Sequence, residues 1–344
     1  MINIEYTHNI LRKILTTASP TGFTHHIMKI IEEEAKKFGC KTQYTKKGAL
    51  IISLKGKEEK KIGLSAHVDT LGAIVRSIKD NGKLRLSIIG GYALNSIENE
   101  YCEVLTRMGN KKFSGTILLD KPSVHVDGDE VRNRKRSDET IEVRLDEKVK
   151  SKSEVEALGI RPGDFVFLDP RTIITDSGYI KSRHLDDKAS VGILLGMLEY
   201  FYSKKISPKN SIVVFISNYE EVGHGLSYLP EEIDELIAVD MGCIGNDLSA
   251  TEHDVSICAK DSSGPYDYFL TNKLIEIAKK HEIQYVIDIY PYYGSDASAA
   301  MRAGNDVPAA LIGTGVHASH SLERTHTDGI VNTANLLIHY LLED

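Results

Sequence analysis

The sequence predicts an α/β protein: one α/β domain with a mostly parallel or mixed sheet, interrupted by a small β-rich domain. Three observations carry this. Helix and strand patterns alternate up to about residue 70. Short β-like runs separated by turn residues then fill residues 71–174, and the alternation resumes after them. The simplest organisation is one domain built from 1–70 plus 175–344, with 71–174 inserted into it.

The elements follow in order. "HHIMKIIEEEAKKFG" (25–39) sets Ile27, Ile30, Ile31, Ala35 and Phe38 on one helical face and stops at Gly39. "ALIISL" (49–54) and "KIGLSAHVD" (61–69) read as strands. Residues 72–89 read as a hairpin with Asn81-Gly82 at its turn. "CEVLTRM", "FSGTILL", "TIEVRL" and "DFVFLD" continue the β texture up to residue 169. A long helix is expected over 187–205, strands at 211–217, 236–240 and 307–313, and helices at 265–281 and in "DGIVNTANLLIHYLLE" near the C-terminus.

Composition bounds the function classes. Forty-two basic against 49 acidic side chains give a net charge of −7, with no global pull toward nucleic acid or an anionic membrane. The most basic stretch, "VRNRKR" (131–136), runs straight into "SDETIE", so a charged loop or edge is expected there. Cys40, Cys102, Cys243 and Cys258 lie far apart with no C-x-x-C, which fits neither a disulfide framework nor a thiolate zinc site. "MINIEYTHNILRKIL" has no basic start followed by an apolar stretch, and the longest apolar run, "VGILLGML", is far below the ~20 residues a bilayer needs. A cytoplasmic protein is expected.

Candidate chemistry collects at the predicted strand ends. "SAHVD" offers His67 and Asp69; "SRHLDDKAS" offers His184, Asp186 and Asp187; "NYEEVG" offers Glu220 and Glu221; "IAVDMG" offers Asp240. "VHASHSLERTH" adds His317, His320, Glu323 and His326. Each has a plain structural alternative: a core histidine at 67, a helix cap at 186, a turn at 240, a surface loop near 320. Their common location is what points to a ligand site, because open α/β sheets bind ligands beyond the carboxyl ends of their strands. Imidazoles and carboxylates suit zinc, cobalt or manganese. In H-x-D, residues i and i+2 share a face, so Asp69 can accept from the far nitrogen of His67 and orient its ring. Adjacent Glu220 and Glu221 need not share a role, since one can ligate while its neighbour faces a water.

In order, "AHVDTLG", "GIRPGD", "RHLDDKASVG", "EEVGHG", "AVDMG", "GSDAS" and "HSLE" resemble the tetrahedral (TET-type) and glutamyl aminopeptidases, family 42 of the metallopeptidases, over essentially the whole chain. The resemblance implies a three-layer α/β/α catalytic domain with a mixed sheet, interrupted by a small β-barrel-like (PDZ-like) domain used in dimerisation and assembly. It implies two divalent metal ions per subunit: His67, Asp186 and Asp240 holding one, and Asp186, Glu221 and His320 the other. Glu220 would be the general base and Asp69 the partner of His67. Three ligating carboxylates, two neutral imidazoles and one hydroxide balance two divalent charges. The implied activity is removal of N-terminal residues from peptides through a metal-bridging water, by a homo-oligomer such as a tetrahedral dodecamer of dimers.

The chain departs from the commoner family pattern in places. Asp186-Asp187 replaces Asp-Asn, Ser319-His320-Ser321 replaces Met-His-Ser, and "GVHAS" replaces an Arg-Tyr pair. These changes bear on substrate preference and leave His317 and His326 as rivals for the last ligand, although His320 alone lies in His-Ser-x-Glu. A metal-dependent deacylase or carboxypeptidase is the alternative chemistry, and a pseudoenzyme scaffold the alternative without chemistry. A glycosidase needs only two carboxylates and would leave His67 and His320 without purpose.

Overall fold

A computed structural model describes residues 1–229 and 232–343. Along the chain come helices α1 (Ile4–Leu15) and α2 (His25–Lys37), then strands β1 (Lys41–Tyr44), β2 (Leu50–Leu54) and β3 (Glu58–His67). Next are β4 (Gly72–Ile78), β5 (Leu84–Ile89), β6 (Tyr101–Leu105), β7 (Lys112–Leu119), α3 (Val124–Asp127), α4 (Glu130–Asn133), β8 (Ile141–Leu145), α5 (Lys152–Leu158) and β9 (Phe165–Leu168). Then follow β10 (Ile173–Ile174), β11 (Tyr179–Ser182), α6 (Leu185–Lys204), β12 (Asn210–Ser217) and β13 (Glu235–Ile244). The remainder holds β14 (Val255–Asp261), β15 (Gly264–Pro265), α7 (Tyr268–Lys280), β16 (Tyr285–Ile289), α8 (Asp296–Arg302), β17 (Ala309–His317), β18 (Glu323–His326) and α9 (Thr327–Glu343).

The chain divides into two compact units, Met1–Thr70 with Arg171–Asp344, and Leu71–Pro170. In the second unit β4-β5-β8-β7-β6-β9 close into an antiparallel barrel. Its first hairpin turns at Gly82, whose φ of +80° suits a residue without Cβ. Ala73, Val75, Val104, Ile117, Val143 and Val166 are buried inside it, as period-2 patterning requires.

In the first unit β12, β3, β13 and β17 run parallel, while β2 and β14 lie antiparallel outside them, so the sheet is mixed. Alternate residues of these strands feed two separate cores. Ile212, Val214, Ile216, Ile237, Val239, Ala310 and Ile312 pack with α1, α2, α6, α7 and α9. Val213, Phe215, Leu236, Ala238, Ala309 and Leu311 pack with Ala297 and Ala300 of α8 and with Tyr266 and Tyr290. That is the three-layer arrangement, and each fully buried Ile, Leu or Phe adds roughly 1.5–3 kcal/mol. Helix α6 is buried on every side from Leu185 to Leu198. Among the described residues no helix is long and apolar enough to cross a membrane.

The structure adds elements beyond those read from the sequence. Helix α1 is capped by the Asn3 side chain, which accepts the Tyr6 N–H. The helix expected from 265 begins at Tyr268, because Asp267 caps it by accepting the Leu270 N–H at 2.8 Å. The histidine-rich stretch after His320 forms strand β18, paired with β11 and β17.

Candidate metal centre

Strand register brings the site together. Ser217 at the end of β12 pairs with His67 at the end of β3, and Ala238 of β13 pairs with Ser65. Asp240, two residues after Ala238, therefore comes level with His67. The Glu220–Val222 turn follows β12 directly. Asp186 and Asp187 open α6 in non-helical backbone, joined by a cis peptide. His320 sits in left-handed backbone at φ +60° in the link between β17 and β18.

Asp186 is the centre of the arrangement. Its Oδ1 lies 3.0 Å from His67 Nε2 and its Oδ2 lies 3.3 Å from His320 Nε2. His320 Nε2 is also 3.7 Å from Glu221 Oε2, and His67 Nε2 is 3.7 Å from Glu220 Oε2. Donor atoms of His67, Asp186 and Glu221 lie within 4.8 Å of one another, as do those of His67, Asp187 and Asp240. Of the three rival histidines, His320 is the one that reaches Asp186. His317 ends β17 with its side chain exposed, and His326 stands with His253 and Asp328.

Asp69 differs in detail from the sequence expectation. His67 Nδ1 pairs with the Asp69 main-chain carbonyl at 2.9 Å, while carboxylate Oδ1 is 3.6 Å away. The carboxylate is engaged elsewhere: it accepts the Thr21 hydroxyl at 2.7 Å and the N–H groups of Glu220 and Glu221. One residue thus orients the imidazole with its backbone and the glutamate turn with its side chain. Asp187 accepts the His67 N–H at 3.1 Å through Oδ2, while its Oδ1 is buried without a hydrogen-bond partner among the described residues. His184 is buried ahead of α6 as its capping residue, and its side chain makes no cap hydrogen bond.

Two buried acids had no specific role in the sequence reading. Glu323 accepts the N–H of Asp186 at 3.0 Å and that of His320 at 3.1 Å, fixing two members of the site through their backbones. Asp296 accepts the Ser217 hydroxyl at 3.0 Å and the Leu226 N–H at 2.8 Å, holding the far end of the glutamate loop. Both lie in quoted motifs, "HSLE" and "GSDAS", which was the available signal.

The electrostatics are those of crowded, buried carboxylates. Burial, then the Asp186 charge, pushes Glu221 up to about 8 and Asp240 up to about 7. Burial first, then neighbouring acids including Asp240, also raises Glu220 and Asp187 well above the carboxylate range. Burial would raise Asp186 too, but the His320 and His67 imidazoles hold it well below its usual value. Cations placed among these groups would reverse the upward shifts. Glu221 Oε1 is buried without a hydrogen-bond partner among the described residues, on a carboxylate that groups with His67 and Asp186. An orphaned carboxylate oxygen among imidazoles and carboxylates fits a divalent ion. The site opens on a cleft of about 440 Å³ that is also lined by Met241, Cys243, Tyr292, Tyr293 and Arg302.

Imidazoles and carboxylates grouped around one shared carboxylate at the carboxyl edge of an α/β sheet define a metal-dependent hydrolase. Residues 48–336 match the sequence profile of the M42 glutamyl aminopeptidases. The chain belongs to this family of peptide hydrolases. YhfE of Bacillus subtilis (strain 168), which carries the provisional name of an aminopeptidase, is 46% identical over 343 residues, covering 99% of each chain. Aminopeptidase APDkam598 from the archaeon Desulfurococcus kamchatkensis shares the fold, with a TM-score of 0.89 at 21% identity over 99% of this chain and 96% of that one. The Pyrococcus horikoshii TET1 peptidase, which can assemble into a tetrahedron or a large octahedral shell, gives a TM-score of 0.84 at 23% identity, over 98% of this chain and 100% of that one. At these identities the two structural likenesses concern the fold.

Proposed function

We propose that this chain is a dinuclear metal-dependent aminopeptidase that removes N-terminal residues from peptides, with Glu220 as the proton-transfer group. The observation that carries the reading is the division of Asp186, one carboxylate oxygen toward His67 and the other toward His320. His67, Asp186 and Asp240 would hold one ion, and Asp186, Glu221 and His320 the other. Divalent ions there would supply an acidified water and polarise the scissile carbonyl, and zinc, cobalt and manganese all suit these donors.

Glu220 would take the proton of the attacking water and deliver it to the departing amine, a role worth roughly 10²–10⁴-fold. The Asp69 carbonyl keeps the His67 ring in place, and the Asp69 carboxylate keeps Glu220 and Glu221 on one turn. The free α-amine of a peptide would bind beside the ions and the carboxylates of the cleft, which favours an exopeptidase.

In this reading residues 1–70 and 175–344 perform catalysis and residues 71–174 mediate dimerisation and assembly. The chain would work as a homo-oligomer, with a tetrahedral dodecamer of dimers as the leading arrangement; the assembly of the P. horikoshii relative supports this. Its cysteines are all unbonded, which supports a reducing, cytoplasmic setting.

The test is a substrate comparison on protein reconstituted with each metal. Hydrolysis of free-amine aminoacyl amides, with N-acylated amino acids untouched, is expected. The reverse preference would make the chain a deacylase instead.

A further inference from the structure

His326, left outside the hydrolytic centre, belongs to a second cluster. It ends β18, Asp328 lies in the first turn of α9, and His253 lies in the turn before β14. Nδ1 of His253 and Nδ1 of His326 are 3.0 and 3.2 Å from the same oxygen, Asp328 Oδ2. We propose that His253, His326 and Asp328 form a separate site for a divalent transition-metal ion, structural in role.

The spacing is that of ligands on one ion. Zinc–nitrogen and zinc–oxygen bonds of ~2.0–2.1 Å at tetrahedral angles put neighbouring donors about 3.3 Å apart. His326 also carries the outer hydrogen bond typical of a ligating imidazole. Its Nε2 is 2.8 Å from the Ser177 carbonyl, which can only accept, so Nε2 bears the hydrogen and the lone pair lies on Nδ1, toward Asp328. With no proton or cation between them, that lone pair and the carboxylate oxygen would repel. Nδ1 also takes the Asp328 backbone N–H at 3.0 Å, a contact the ion would replace.

The three donors stand on ordered backbone. The Tyr179 ring packs edge-on at 4.8 Å from the His326 ring, and the Asn332 side chain donates to the His253 carbonyl at 2.8 Å. A comparable surface trio, His281, His339 and Glu343, lacks this opening, because the Lys280 ammonium already sits 2.7 Å from Glu343. Two imidazoles and one carboxylate select zinc, nickel or copper over magnesium or calcium. The ion would tie β18 to α9, and β18 begins with Glu323, which holds Asp186 and His320.

Zinc titrated into chelator-stripped protein tests this, read by bound zinc per chain after gel filtration and by Tm. His253→Gln and Asp328→Asn should each remove one zinc equivalent and lower the Tm of the zinc-loaded protein but not of the stripped protein. A His67→Ala/His320→Ala double variant should keep that equivalent, and adding His253→Gln should remove it. Unchanged zinc content and unchanged zinc-induced Tm shift in whichever of the single variants folds would overturn the proposal. Failure of the dinuclear reading would show separately, as full zinc retention by the His67/His320 variant.

Discussion

The Asp69 carboxylate accepts the backbone N–H of Glu220 at 3.2 Å, and its second oxygen accepts that of Glu221 at 3.3 Å. An amide in its place offers a single acceptor oxygen, leaving one half-buried N–H facing an NH₂ group. The lost charge-assisted bond is worth about 1.5–3 kcal/mol. Asp69→Asn is expected to lower kcat by about 10- to 100-fold with bound metal nearly unchanged, as steady-state kinetics paired with metal analysis would show.

Glu323 acts one layer further out. Replacing it with Gln should loosen Asp186 and His320 together, since both backbone N–H groups depend on its carboxylate. Outer-layer changes of this kind cost metal affinity by about 10- to 100-fold. Competition with a coloured chelator measures that loss directly.

Gly225 has no room for a side chain: a Cβ there would lie 1.9 Å from Asp296 Oδ1. Gly225→Ala must push Asp296 off the Leu226 N–H or shift the loop, at roughly 1–3 kcal/mol. The chain contains no tryptophan, so urea unfolding followed by circular dichroism is the suitable readout.

In the connection between β7 and β8, Arg134 grips Asp120 through two hydrogen bonds of 2.5 Å. Burial alone would raise the Asp120 carboxyl, but the guanidinium more than offsets it and holds the group below its usual value. A depressed folded value contributes stability that is complete above the unfolded carboxylate value of about 3.9 and lost as pH falls through the folded one. Asp120→Asn should therefore destabilise the protein at neutral pH, and the gap to wild type should close on acidification below that window.

Much of the architecture was legible because burial leaves periodic marks. "IVVFI" (212–216) is apolar throughout since β12 feeds a core on each face, and the Asn81-Gly82 hairpin announces itself by turn chemistry. Helix α1 was readable in principle, from Asn3 and the spacing of Ile10, Leu11, Ile14 and Leu15. Strands β10, β11 and β18 are two to four residues long, too short to show a period. At the site, the residue types at strand ends could be read locally. That Asp69 would hold His67 through its carbonyl, and that Glu323 would reach Asp186 across the chain, depends on how distant segments meet.

In the proposed mechanism Glu220 moves the proton while its neighbour Glu221 holds metal. Glu220→Gln, assayed for metal content and for turnover of a free-amine aminoacyl substrate, separates those roles. The expected result is metal content equal to wild type with kcat reduced by about 10²–10⁴-fold. A wild-type kcat at full metal content would contradict it.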